Sequence, residues 1–159
     1  MSPRTSDHPD TDPGGRPPSL VRLLALSTRA LTDILHERLR RAGFDDQRPA
    51  DDAAFAHIPP EGIRLTDLAQ RAGVTKQAMA EVVVSLEARG YLERSQDPTD
   101  GRAKLIRFSD RGWSAVTTAL EVFDDIEREL AHRIGARRIA DLRRTLAEIH
   151  QDRGPDGVA

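Results

Sequence analysis

The feature that most constrains the fold is a pair of short helical patterns that meet across Ala72-Gly73-Val74. Thr66 precedes a run with apolar residues on one helical face that stops at Gly73, and Thr75 precedes a second run that stops at Gly90. Thr accepts hydrogen bonds from the free N–H groups at a helix start, and Gly commonly follows a helix end. The pattern therefore predicts two short helices joined by a tight turn, which is typical of a helix-turn-helix.

Two strand-like segments follow and predict a β-hairpin, or wing. Residues 91–94 and 104–108 have the pattern of short strands, and the turn-forming residues 97–101 lie between them. Residues 63–65 are expected to form a further short strand before the first helix. The predicted fold class is mainly α with a small β-hairpin wing (α+β), and the winged helix-turn-helix occupies 63–109.

Long helical patterns flank this segment on both sides. Residues 19–43 carry an apolar stripe after a capping Ser19, and 110–153 carry another after a cap at Ser109 or Asp110. These stripes exceed what a winged domain of this size needs for its own core, and closed two-fold dimers are the commonest soluble assemblies. We therefore expect both segments to be the dimerisation helices of a homodimer.

The two ends of the chain have a different composition. Residues 1–18 hold five Pro and few apolar side chains, too few to offset the entropy lost on ordering. We expect 1–18 and the short segment 154–159 to be disordered tails, leaving one domain at 19–153.

Composition excludes several classes of protein. The 159 residues include no Cys, which excludes disulfides, Cys-ligated zinc and thiol redox switches. No apolar run approaches the roughly 20 residues that span a bilayer, so we expect a cytoplasmic protein without a membrane partner. The net charge is −2, but residues 64–111 hold nine Lys or Arg against seven Asp or Glu. The middle of the chain is therefore modestly basic.

The start of the second helix carries side chains that can read DNA. Gln77 can form two hydrogen bonds to adenine, Lys76 can donate to guanine or phosphate, and Ala78 leaves space for close approach. Thr75 stands at the positive end of the helix dipole, which favours a phosphate nearby. Thr66, at the first helix, is expected to contact the DNA backbone as well as to cap the helix.

The hairpin tip carries Arg102 and Lys104, which can contact phosphates or place an arginine in a narrow minor groove. The alternative is that these charges only protect an edge strand from pairing with other chains.

An enzyme is not expected. The five histidines lack the spacing of a metal site within one helix, and the sequence has neither a Gly-rich phosphate loop nor a Gly-x-Ser-x-Gly elbow. We therefore predict no catalytic residue, no metal and no cofactor, although a metal site assembled in space stays open. A winged helix that binds protein instead of DNA is a second alternative, and it would expose apolar residues where Lys76 and Gln77 stand.

Four segments together resemble the MarR family of transcriptional regulators: RLTDLA at 64–69, TKQAM at 75–79, LEARGYLER at 86–94 and DPTDGRAK at 97–104. The resemblance covers roughly 19–152. It implies a homodimer whose two recognition helices enter successive major grooves of a pseudo-palindromic operator, with Arg102 in the flanking minor groove. It also implies that Asp100 orients this arginine, and that the protein is a repressor.

Relatives of this kind bind a small, often aromatic anion between the dimerisation helices and the winged domain. The resemblance therefore implies an effector site, for which the candidates here are His36, Leu39, Phe55, His57 and Trp113. The Pro-rich acidic segment 45–52 departs from the family pattern at this place.

Overall fold

The computed structural model describes residues 16–151. The predicted C-terminal tail, and all of the predicted N-terminal tail except 16–18, lie outside the described residues. The elements are α1 (Leu20–Arg41), a 3₁₀ turn (Pro49–Asp51), α2 (Asp52–Phe55), α3 (Leu65–Arg71), α4 (Lys76–Ala88), β1 (Leu92–Asp97), β2 (Asp100–Phe108), α5 (Asp110–Ile134) and α6 (Ala136–Gln151). The strands form an antiparallel two-stranded sheet, so the predicted class, mainly α with a small hairpin, is confirmed.

The chain divides into two compact units within α1, the first ending at Ile34 and the second beginning at Leu35. In the first unit, the Ser19 hydroxyl accepts a hydrogen bond from the Arg22 N–H at 3.3 Å, as expected for a residue that caps the start of α1. Within the described residues, no helix combines the length and the apolar character that crossing a membrane requires.

The core of the second unit consists of side chains that recur at helical and strand spacing. Met79, Val83 and Leu86 lie on one face of α4 and are completely buried or nearly so. They pack in one cluster with side chains of α2, α3, the hairpin and the start of α5, chiefly Ala54, Leu68, Tyr91, Ile106, Phe108 and Ala115. This cluster fixes which face of α4 remains exposed.

The start of α3 differs from the prediction. Arg64, with extended φ and ψ, is the residue that precedes the helix, and its carbonyl accepts the Leu68 N–H at 2.9 Å. Thr66 lies inside the first turn, so its predicted capping role is wrong. The expected strand at 63–65 is reduced to a single bridge between Ile63 and Ile106, because the helix already begins at Leu65.

The hairpin is longer than predicted. β1 extends to Asp97 and β2 resumes at Asp100, so only Pro98 and Thr99 remain between the strands. The expected turn of five residues is therefore wrong. The reason is local, since the Asp97 carboxylate accepts the Thr99 N–H and holds a tight turn there.

The last two helices meet at Gly135, which has a positive φ of 100°. Of the two candidate caps for α5, Ser109 is the one observed, and its hydroxyl accepts the Gly112 N–H at 3.1 Å. An ion pair between Glu127 and Arg143 joins α5 to α6. Large apolar side chains on both helices remain exposed: Leu120, Phe123, Ile134, Leu142, Leu146 and Ile149.

Candidate nucleic-acid interface

The first turn of α4 is presented to solvent. The Thr75 hydroxyl accepts the Ala78 N–H at 3.2 Å, so the predicted cap at this helix is confirmed. Lys76, Gln77 and Ala78 are all exposed, while Met79 begins the buried face. Because Gly73 adopts a positive φ of 66°, the chain turns within a few residues between α3 and α4. Two donors, the amine of Lys76 and the amide of Gln77, therefore stand free at a helix N-terminus.

Thr66 is exposed in the first turn of α3. Its position inside the helix leaves its hydroxyl available to a phosphate, although the helix start is formed by Arg64.

The wing presents its cations at the turn end of β2. Arg102 and Lys104 are exposed, and the Lys104 amine lies 3.4 Å from the Gln96 amide oxygen across the hairpin. The Gln96 amide also donates to the Gly101 carbonyl at 2.5 Å, which ties the two strands together next to the turn. The tip is thus braced by contacts within the hairpin.

Asp100 contacts Arg102 through the backbone. One carboxylate oxygen accepts the Arg102 N–H at 3.1 Å, and the other lies 3.7 Å from a guanidinium nitrogen of Arg64. The role implied for Asp100, orienting the arginine side chain, stays a prediction.

Sequence reasoning missed a contact between the wing and the start of α3. The Arg64 guanidinium donates from Nε and Nη2 to Oδ2 of Asp97, at 2.8 and 2.6 Å. The other oxygen, Oδ1, accepts the Thr99 N–H at 2.8 Å and the Thr99 hydroxyl at 2.6 Å. The Thr99 donors, together with Arg64, hold the pKa of Asp97 well below its usual value, so this carboxylate stays ionised.

A second polar network, also missed, surrounds the C-terminal end of α4. Arg89 forms an ion pair with the buried Asp51, and its guanidinium also donates to the Asp46 carbonyl at 2.5 Å. The Tyr91 hydroxyl donates to the Asp46 carboxylate, which also pairs with Arg111 at 3.0 Å. The Pro-rich acidic segment 45–52 is thus bound to the C-terminal end of α4.

The candidate effector residues fall in different surroundings. Phe55 and Trp113 both pack against Phe108, each with ring centroids 5.2 Å away. His36 is within 3.1 Å of the Asp52 carboxylate, His57 is half-buried after α2, and Leu39 is buried. Among residues 16–151, no cluster of three or more His, Asp or Glu side chains suits a metal ion.

Comparison with known proteins relates part of this chain to a known family. Residues 53–103, which run from α2 through α3 and α4 to the wing tip, match the sequence model of the MarR family. This segment therefore resembles the winged helix-turn-helix of the MarR family.

The curated relatives that match parts of this chain are transcriptional regulators. Transcriptional regulator HosA of Escherichia coli O111:H- is 29% identical over 73 residues, which are 46% of this chain and 54% of that protein. The HTH-type transcriptional regulator YdcH of Bacillus subtilis is 38% identical over 50 residues, which are 31% of this chain and 34% of that protein. The chain thus spans about half the length of HosA and a third of YdcH. Both relatives are named as transcriptional regulators, the class of protein that the sequence resemblance predicts.

Solved structures extend the likeness to most of the chain. A crystal structure of MarR is 26% identical, covers 84% of this chain and 98% of its own, and superposes with a TM-score of 0.65. A mutant of Staphylococcus aureus MepR bound to an oligodeoxyribonucleotide is 17% identical, covers 84% of this chain and 97% of its own, with a TM-score of 0.55. The second likeness concerns the fold alone.

Proposed function

We propose that this chain binds double-stranded DNA of defined sequence and regulates transcription as a homodimeric repressor in the cytoplasm. One observation carries the proposal. The first turn of α4 holds Lys76, Gln77 and Ala78 exposed, on a helix whose opposite face is locked into the core. A rigid helix with free donors near its N-terminus is what reading base edges in the major groove requires.

The wing supplies the second set of contacts. Arg102 and Lys104 are exposed at its turn end, where a cation can contact phosphates or enter a narrow minor groove. Thr66 adds a hydroxyl suited to the DNA backbone. Gln77 and Lys76 would read bases, whereas Arg102, Lys104 and Thr66 would set register and affinity.

A second copy of the chain would cover the apolar faces of α5 and α6. No residue of α6 is buried in the single chain, although Leu142, Leu146 and Ile149 lie along it at helical spacing. An uncovered apolar stripe of this kind is typical of a surface that binds a partner, and two-fold pairing is the commonest arrangement. Two recognition helices would then bind a pseudo-palindromic operator with half-sites about one helical turn apart.

A small-molecule effector would modulate DNA binding by favouring one conformation of the dimer. We keep His36, Phe55, His57 and Trp113 as candidate contacts, because Phe55 and Trp113 both pack against Phe108 at the end of β2. Trp113 is the only tryptophan, so its fluorescence reports binding of aromatic carboxylates directly.

The rival proposal, a winged helix that binds protein, lacks support at the deciding positions. Lys76 and Gln77 are exposed and polar, where a protein-binding surface would carry apolar side chains.

The proposal is tested by selecting genomic fragments with the purified chain at near-physiological salt and sequencing the retained DNA. We expect the retained DNA to share an inverted repeat, and gel shift should confirm binding to it. The Lys76→Ala and Gln77→Ala variants should bind this repeat less selectively. Arg128→Ala, which removes an exposed charge on α5, is the matched control and should select the same sites. Retention without any enriched sequence, lost at moderate salt, would remove the basis for sequence-specific regulation.

A further inference from the structure

The wing is attached to the residues just before α3 at two points. Near its middle, Ile63 and Ile106 exchange both backbone hydrogen bonds, at 3.0 and 2.8 Å. At its turn end, Arg64 donates two hydrogen bonds to Oδ2 of Asp97. Two attachments from adjacent residues leave the hairpin little freedom to swing relative to α3.

Asp97 is the centre of the outer attachment. Its side chain is only 6% exposed, and its two oxygens accept four hydrogen bonds, two from Thr99 and two from Arg64. Arg64 donates from two nitrogens of its planar guanidinium to the single oxygen Oδ2, which fixes the direction of the contact as well as its distance. Asp97 therefore transmits the position of Arg64 to the turn that precedes Arg102.

We propose that Arg64 is a positioning residue for DNA binding, which holds the wing turn through Asp97 so that Arg102 can reach the DNA. This inference rests on the proposed function, because it assigns a role within that interface. Arg64 lies 33 residues before Asp97 in the sequence. In this proposal Arg64 affects DNA binding through its contact with Asp97, without touching the DNA.

For one variant, electrostatics alone predicts the opposite change in DNA affinity. Asp97→Asn removes a negative charge from the wing, and removing an anion next to a polyanion should tighten binding. If Asp97 instead holds the wing, the same change loosens the turn and weakens binding. The sign of the effect therefore separates positioning from charge.

The test uses the full chain and an operator fragment enriched by the wild type, with Arg64→Gln, Asp97→Asn and the double variant. Arg64 is 43% exposed, so Arg64→Gln tests the contact without replacing a buried side chain. We expect each single variant to weaken binding roughly tenfold. The double variant should be no weaker than either single one, because both break the same contact. Arg71→Gln, an exposed charge on α3, is the matched control and should have a much smaller effect.

Hydroxyl-radical footprinting supplies a readout that a general loss of stability would not produce. We expect protection to disappear at the operator flanks, where the wing would lie, and to persist where α4 would lie. Wild-type or tighter binding by Asp97→Asn, or additive losses in the double variant, would overturn the positioning role. If the wild type enriches no operator, the proposed function itself fails, which is distinguishable from failure of the positioning role.

Discussion

Arg89, which follows α4, and Asp51, which precedes α2, form a two-point ion pair, with Nη1–Oδ2 at 2.7 Å and Nη2–Oδ1 at 2.8 Å. The Arg89 side chain is 13% exposed and that of Asp51 is 4% exposed. Asp51 also accepts the Arg48 N–H at 2.8 Å, so the carboxylate is well satisfied. The pair binds the Pro-rich segment to the C-terminal end of α4.

Arg89→Ala should lower the free energy of unfolding by about 3 kcal/mol, because it leaves the Asp51 carboxylate buried without its partner. The measurement is urea unfolding followed by the fluorescence of Trp113. Arg128→Ala is the control, since Arg128 pairs with Asp125 through a side chain that is 74% exposed. That variant should change stability by less than about 0.5 kcal/mol. Similar losses in the two variants would show that burial of the Arg89 pair has no special effect.

Tyr91 should ionise at unusually high pH. Burial and the hydrogen bond to Asp46 raise its pKa to about 12. Because the folded state favours the neutral phenol, this contribution to stability is complete below the unfolded pKa of about 10 and is lost as pH rises towards 12. Tyr91 is the only tyrosine, so tyrosinate absorbance reports it without ambiguity.

The matched variant for this titration is Asp46→Asn, which removes the anionic acceptor and should lower the pKa of Tyr91. Wild-type protein in denaturant should titrate near the ordinary value. An ordinary midpoint in protein that circular dichroism shows to be folded would contradict the buried hydrogen bond.

The sequence predicted a helix or strand correctly where the deciding residues all lie within that one segment. Thr75 and the spacing of Met79, Val83 and Leu86 lie within one helix, and the structure follows them. The start of α3 was misplaced for a non-local reason. Ile63 is bridged to Ile106, 43 residues away, and Arg64 is the last extended residue, so Arg64 and not Thr66 precedes the helix.

The exposed donors of α4 and the wing could be found from the sequence, because helix position and turn chemistry decide their exposure. Arg64 and Asp97 could not be paired in this way, since 33 residues separate them and neither belongs to a periodic pattern. Tyr91 and Asp46 could not be paired from the sequence either, because their contact depends on how distant segments of the chain pack together. Long-range polar pairs follow from tertiary packing, which a single sequence does not display.

Gly112→Ala should destabilise the protein although alanine is the better helix former. A Cβ at this position in α5 would collide with the Tyr91 carbonyl oxygen, which already accepts the Ser109 N–H, and would press on the Phe108 ring. We expect a loss of about 1–3 kcal/mol in urea unfolding. Gly101→Ala is the control, because the nearest atom to its Cβ would be 3.8 Å away. A neutral or stabilising Gly112→Ala would disprove this close packing.

Leu142→Glu should dissociate the proposed homodimer without unfolding the chain. Leu142 is 49% exposed in the single chain, so the substitution costs little there, but a buried carboxylate in the dimer interface is costly. Sedimentation velocity should show a shift from dimer to monomer. Arg137→Glu introduces the same side chain on the opposite face of α6 and should remain dimeric. Equal behaviour of the two variants would mean that this face of α6 is not the interface.

Arg102→Ala and Lys76→Ala should both weaken operator binding, roughly tenfold each, and differ in how they do so. If Arg102 neutralises a phosphate, its loss should reduce the slope of log affinity against log salt by about one and affect all sequences alike. If Lys76 donates to a base, its loss should reduce the preference for the operator over mismatched sites, because a base contact carries sequence information.

Gel shifts over a salt series with matched and mismatched fragments separate the two effects, and Arg128→Ala should change neither. Both residues are exposed, so circular dichroism should show wild-type folding, and unchanged affinity in both variants would mean that DNA binds at another surface.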